Sequence, residues 1–403
     1  MPVALLALII SAFGIGTSEF VTMGLVPQLT AEFGVSVPAV GLLVSAYAFG
    51  VTVGAPVLTA LGARLPRKTM LLGLMVLYLA GNALSALAPT YGVLMTGRIV
   101  ASLTHGAFFG IGAVVAAELV APDRKARAIA LMFTGVTLAN VLGAPAGAFI
   151  GQQVGWRAAF WAIVAIGLVA FAGLAALVPS RPRPADAGLR RELSAFARPQ
   201  VWLALGMTAI GYAPVFAVYT YIEPITTRVA GFDGGAVPVV MVLFGAGLVA
   251  GNLFGGRMAD RALMPAIYGT LGGITVVSLA FWFTAHSRVA LVVTVVLFGF
   301  IGFASVPPLQ TRVLDAAEGA PALASAANIG AFNLGNALGP FLSGMAIDAG
   351  LGYTSPSWIG GALGAAGLAI AVLAGALARG AGKQPSGDGR VGAVPEPAQG
   401  HRP

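Results

Sequence analysis

The chain has 403 residues, 58% of them hydrophobic and only 9% charged, with no cysteine and a formal net charge of +8. Soluble domains carry about 25% charged residues, so this chain has too little charge to coat a water-facing surface. A soluble enzyme, a disordered chain and a disulfide scaffold are excluded. The 56 glycines and 25 prolines suit membrane helices that pack backbone to backbone and kink.

Membrane-crossing helices need about 20 apolar residues each, and stretches of that length follow one another along the chain. The first six cover 4–26, 39–61, 69–88, 92–118, 128–151 and 158–178, each bounded by Pro, Gly or a charge cluster. A polar segment from Pro179 to Pro199 follows. Six more stretches cover 201–222, 237–256, 266–285, 289–310, 322–346 and 358–378. The expectation is an all-α membrane protein with twelve transmembrane helices. Met1 to Leu25 lacks a basic n-region and a clear small-residue cleavage site, so it reads as a retained helix rather than a signal peptide. The organisation expected is a six-helix bundle over 1–178, a linker over 179–199, a second bundle over 200–378 and a disordered Gly- and Pro-rich tail over 379–403.

Lys and Arg set the orientation. With a cytoplasmic N-terminus, the outer loops hold only Arg157, Arg228 and Arg288, and Arg98 lies inside a span; the remaining Lys and Arg fall in inner loops, linker and tail. Both termini are therefore expected in the cytoplasm. The positive charge is explained by membrane topology, and no nucleic-acid partner is expected.

The two halves repeat. Leu138-Ala-Asn140-Val-Leu-Gly143 matches Leu334-Gly-Asn336-Ala-Leu-Gly339, and Pro27, Arg64 and Trp161 fall on Pro224, Arg261 and Trp358 at a nearly constant offset. Because six helices is an even number, both halves enter from the same side and form a parallel repeat about an axis along the membrane normal. Substrate sites of such folds lie between the repeats near the midplane.

Ionisable residues at bilayer depth cost about 2.5–3.5 kcal/mol each on insertion scales, so Glu19, Arg98 and His105 require reasons. At 1.5 Å per residue, Glu19 and Arg98 both lie roughly 10–12 Å below the outer surface, a depth that permits pairing. One reading makes Glu19 the proton carrier, its proton affinity set by burial against the nearby Arg98 guanidinium. The other is a static buried ion pair. The first is favoured because buried pairs are weak stabilisers, and because the repeat sets Phe216 opposite Glu19 and Val295 opposite Arg98, leaving the pair in one half only. His105 lies roughly 21 Å into its helix and is either a second proton site or a neutral packing residue. Glu118 and Glu223 sit at span ends and are expected to be hydrated caps, the alternative for Glu223, beside Pro224, being a place lining the outer mouth. No embedded His/Glu metal cluster, Ser-based triad or GxxxxGK[ST] phosphate loop stands out, so no metal, cofactor, enzymatic chemistry or ATP drive is expected.

Several motifs resemble the major facilitator superfamily, and within it the twelve-helix drug:proton antiporters of the arabinose-efflux-like and chloramphenicol-resistance-like groups. Gly256-Arg-Met-Ala-Asp260-Arg261 is similar to the family's loop signature between the second and third helices of each half. Thr59-Ala-Leu-Gly-Ala-Arg64-Leu-Pro66-Arg67-Lys68 is a copy without the usual Gly and Asp. Leu94-Met-Thr-Gly-Arg98 resembles the basic motif of the fourth helix. Gly143-Ala-Pro145-Ala-Gly147 is similar to the antiporter motif with one residue inserted. Gly16-Thr-Ser-Glu19-Phe and His105-Gly-Ala-Phe-Phe-Gly110 resemble the two exporter groups.

This resemblance implies the major facilitator fold, with two pseudo-symmetric six-helix bundles. It also implies gating by Arg64, Arg67, Lys68, Gly256, Asp260 and Arg261, and a close approach of the fifth helix to the other half through Gly143, Pro145 and Gly147. Helices 1, 4, 7 and 10 would face the substrate. In helix 7, Tyr212, Phe216 and Tyr219 share one face, which suits an amphipathic, largely apolar solute. Phe13, Asn140, Gln310, Asn328 and Asn333 are further cavity candidates. The function expected is a monomeric, multi-pass inner-membrane exporter that exchanges protons for a small drug-like solute by alternating access. The alternatives are a sugar or metabolite exporter on the same scaffold and a passive facilitator.

Overall fold

The computed structural model describes residues 3–62, 65–121, 125–180, 195–317 and 321–381. The helices are α1 (Val3–Phe20, continued by a tight 3₁₀ turn Val21–Gly24), α2 (Val37–Gly62), α3 (Arg67–Ala86), α4 (Tyr91–Glu118), α5 (Lys125–Leu138 and Ala144–Gln153) and α6 (Trp156–Leu177). They continue as α7 (Pro199–Tyr219), α8 (Ala236–Arg261), α9 (Leu263–Thr284), α10 (Arg288–Ala304 and Val306–Ala316), α11 (Pro321–Asp348) and α12 (Ser355–Ala381). Among the described residues, eleven helices are long and apolar enough to cross a membrane. Helix α11 is the remaining member of the expected twelve. At 28 residues it has the length, but Asn328, Asn333 and Asn336 interrupt its apolar run. All three are buried inside the protein, away from lipid. A short helix, Val26–Phe33, was not foreseen between α1 and α2; Gly34 ends it in the left-handed conformation, φ 61°, which costs a glycine nothing.

The sequence repeat is also a packing repeat. In the first half α1 packs on α5 and α6, α2 on α4, and α3 on α4 and α6; in the second, α7 packs on α11 and α12, α8 on α10, and α9 on α10 and α12. Every pair recurs six helices later. The halves meet through α2 with α11 and through α5 with α8, which is the same contact under the pseudo-twofold. Glycines bring several of these helices within backbone reach: a Cβ on Gly54 would meet the Leu103 backbone at 2.6 Å, and one on Gly335 the Ala209 carbonyl at 2.5 Å. Small residues at contacts replace the hydrophobic driving force that lipid cannot supply.

The ends of the molecule differ. Away from the basic loops, one buried cluster joins first-half residues such as Val21, Leu25 and Val44 to second-half residues such as Tyr221, Val237 and Met241. A hydrogen bond from Gln152 Nε2 to the Gly234 carbonyl, 2.9 Å, ties the halves at the same end. At the basic end, Val201, Ala204, Leu309, Val313, Ala324 and Ala374 belong to a separate cluster that contains second-half residues only. The halves thus share a core at the far end, and the basic end of the second half keeps a core of its own.

Candidate functional site

Helix α1 stops being α-helical at Phe20, where the chain tightens into Val21–Gly24. The last carbonyls of an α-helix have no partner within it, and here they point into the protein. Arg98 of α4, 0% exposed, supplies the missing donors: its guanidinium donates to the Ser18 carbonyl, to the Ser18 hydroxyl at 3.3 Å and to the Glu19 carbonyl at 3.1 Å. The Tyr47 ring of α2 lies 4.3 Å from the guanidinium carbon, a favourable cation–π placement. The Ser18 hydroxyl in turn donates to Asn82 Oδ1 of α3 at 2.7 Å, and Tyr78 donates to the Gly14 carbonyl at 2.7 Å. Arg98 is thus a cationic C-cap for α1, the position where positive charge is favoured by the helix dipole.

That geometry refines the expected pairing. Glu19 and Arg98 are adjacent, but the guanidinium binds the Glu19 backbone and leaves the carboxylate free to point elsewhere. The Glu19 side chain, 5% exposed, has Oε2 3.8 Å from His105 Nδ1, and the Asn336 side chain of α11 lies beside its carboxyl. Tyr212 of α7 lies within its electrostatic reach. The acid therefore sits where α1, α4, α7 and α11 converge, touching both halves. His105 is 7% exposed, with Tyr47 Oη 3.5 Å from Nδ1 and the Phe109 ring at 4.8 Å.

The facing wall is aromatic. Tyr212 packs edge-on against Phe332 of α11 at 4.8 Å and Phe303 of α10 at 5.9 Å, while Phe216 meets Phe20 of α1 at 5.7 Å across the halves. Tyr219 leaves this group and stacks on Phe244 of α8 at 3.9 Å. A three-residue step on a helix turns the side chain by about 300°, enough to change neighbours. Asn328 donates to Gln310 Oε1 at 2.7 Å and Gln310 to Ser325 at 3.0 Å, a polar link between α10 and α11 on the basic side. Asn333 donates to its own helix at Ile329, Asn140 to its own at Val136, and Phe13 is half-buried. Sequence reasoning did not single out Tyr47, Phe20, Phe303, Phe332 or Asn336 as site residues. Only Asn336 left a signal, as the repeat partner of Asn140.

Two expectations need correction. Glu223 is 4% exposed rather than hydrated, because the turn Ile222–Pro224 packs against Val21–Gly24 of the first half. Glu118, in contrast, stays half-exposed at the end of its helix as expected, where it forms an ion pair with Arg67. Gly143 and Gly147 receive Thr17 and Val21 of α1, in their own half. The cross-half approach of α5 comes from Gly245 of α8, whose Cβ would meet the Val141 Cα at 3.0 Å. Around Pro145, which cannot donate to the helix ladder, α5 widens into a π turn over Ala139–Gly143.

At the basic end, Lys68 donates to the Ala175 carbonyl of α6 at 2.6 Å, so Lys68 and Arg67 brace the first half internally. The presumed loop Gly256–Arg261 is the last turn of α8, with Asp260 and Arg261 exposed. Arg64 lies outside the described residues, as do most of the expected linker (181–194) and tail (382–403). Among the described residues, no group of three or more His, Cys, Asp or Glu is placed to hold a metal ion.

A family model for the Major Facilitator Superfamily matches residues 8–340. The chain belongs to the major facilitator superfamily. It is 44% identical over 369 residues to the "Inner membrane transport protein YdhP" of Escherichia coli (strain K12), covering 92% of this chain and 94% of that one. It is 37% identical over 377 residues to the "Chloramphenicol resistance protein" of Streptomyces lividans, covering 92% and 96%. A solved bacterial homologue of the human lysosomal transporter Spinster, in an inward-facing and unoccupied conformation, superposes with a TM-score of 0.71 at 19% identity, over 93% of this chain and 95% of that one. The fold is that of this superfamily, and the protein is a multi-pass membrane transporter.

Proposed function

We propose that this transporter exports a small amphipathic solute in exchange for protons by alternating access, acting as a monomer in the inner membrane with both termini in the cytoplasm. Residues 1–178 and 200–378 form the two rocking bundles, joined by 179–199 and followed by the tail 379–403. Glu19 carries the proton, His105 and Asn336 border its carboxyl, and Arg98 fixes the end of α1 on which the acid rides. Tyr212, Phe216 and Phe332 form the apolar face for the solute.

One observation carries this reading: the Glu19 carboxyl is buried between the halves, against His105 on one side and Asn336 on the other. A buried carboxyl without a full ion pair is a costly group, and a carrier that loads and unloads a proton gives it a use. The resistance named for the Streptomyces relative supports a chloramphenicol-type solute as the first to try. In inside-out vesicles an imposed pH gradient should drive chloramphenicol uptake, and a protonophore should abolish it. Uptake indifferent to the protonophore contradicts antiport, whereas gradient-driven uptake of an arabinose-like sugar in place of chloramphenicol changes the substrate class alone.

A further inference from the structure

The far-end seam holds a second acid that this mechanism leaves unused. Glu223 lies just past α7, in the segment that packs on the Val21–Gly24 turn of the first half. Its Oε1 accepts a hydrogen bond from the Thr227 hydroxyl at 3.1 Å, and its Oε2 is buried with no partner among the described residues. Thr22 on the first-half side, and Thr220 beside Glu223, also bury oxygen atoms without partners among the described residues. Two residues away, Tyr221 is wedged in the contact of α2 with α11: its hydroxyl donates to the Pro340 carbonyl at 2.8 Å and lies against Gly41 and Gly344. Orphaned polar groups on both sides of a closed seam are costly as they stand and are satisfied when water enters.

Resting on the reading of the chain as an alternating-access proton antiporter, we propose that Glu223 is a second proton-binding site, protonated while the far-end seam is shut and ionised when the seam opens to water. Burial holds its carboxyl above the usual carboxylate range, opposed by the Thr227 hydrogen bond and the Arg228 charge. The Val21–Gly24 turn bears no ionisable side chain. The charged groups nearby are Arg228, whose guanidinium donates to the Tyr353 hydroxyl at 2.5 Å, and Asp348 at the end of α11, which acts on Tyr221. The linkage has a definite sign. A carboxyl with raised proton affinity in the closed state favours closure at low pH, and that advantage is lost as pH rises through its closed-state value. Acid on the far side thus shuts the seam and returns the carrier to the basic side, the direction proton-driven export requires.

The cysteine-free chain allows spin labels at Val154→Cys and Leu351→Cys, exposed far-end positions in the first and second halves. In the full-length protein in lipid nanodiscs, the label separation should gain a longer component as pH rises. Glu223→Gln should remain short at every pH, Glu223→Asp should restore a titration, and Glu19→Gln should keep the far-end response while losing proton-coupled transport. A Glu223→Gln protein that opens with the parent's pH profile overturns the proposal. So does a response lost in Glu19→Gln and kept in Glu223→Gln, an outcome that leaves the antiporter reading intact.

Discussion

Glu19 and Phe216 are equivalent positions of a duplicated sequence, and the structure brings their helices together at the centre, where Phe216 packs on Phe20 beside the acid. On the first-half wall, Arg98, Ser18, Asn82, Tyr47 and His105 form a connected polar group around the end of α1. On the second-half wall, the counterpart of Arg98 is Val295 and the surroundings are the rings of Tyr212, Phe303 and Phe332. The backbone plan is shared down to its helix pairs, while the chemistry is segregated. The charge is thus confined to one wall, and the aromatic wall opposite offers apolar area without a charge of its own.

The strongest way to break this asymmetry is to remove Arg98. Arg98→Ala leaves the Ser18 and Glu19 carbonyls buried without donors, at about 1–3 kcal/mol for each group, and should lower the thermal midpoint in detergent more than any other single change at the site. Arg98→Lys should recover part of the loss, since one ammonium cannot reproduce the fork. If Arg98→Ala melts with the parent, the capping account is wrong. Next come the glycines. Gly245→Val places methyl groups against the Val141 backbone and should slow transport by blocking closure of α5 on α8, whereas Gly147→Val crowds Val21 within the first half and should lower stability by about 1–3 kcal/mol. Equal effects of the two on transport and on melting would deny that they serve different contacts.

Smaller effects sharpen the aromatic wall. Tyr212→Ala should raise the KM for solute several-fold with little change in insertion, because Tyr212 joins three rings and adjoins Glu19. Tyr219→Phe should be almost silent, within about 0.5 kcal/mol of stability, because its hydroxyl has no partner among the described residues. A KM change as large for Tyr219→Phe as for Tyr212→Ala would mean that the solute contacts both.

Hydropathy and the repeat made the helices legible, since a span of about 20 apolar residues is a demand of the bilayer rather than of packing detail. Their ends shifted where packing intervened: α10 runs on through Ser305 to Ala316, and α5 divides at a π turn before Pro145. Glu19, Arg98 and His105 stood out because charge inside a span is rare. What they touch was not legible. Depth along a helix axis puts Arg98 level with Glu19, but only the early end of α1 at Phe20 frees the carbonyls that Arg98 binds. Asn336 is one of several asparagines on α11, and its place beside Glu19 depends on the rotation of that helix. Glu223 looked hydrated because it follows a span, and the packing of Ile222–Pro224 on Val21–Gly24 has no signature beyond Pro224.

The central claim is that the Glu19 carboxyl is the group whose titration drives transport. Its most direct test is proton flux evoked by solute in proteoliposomes containing Glu19→Gln, with solute exchange measured in parallel. The account predicts that exchange of solute persists while solute-evoked proton movement falls to background. Proton movement in Glu19→Gln equal to that of the parent would contradict it.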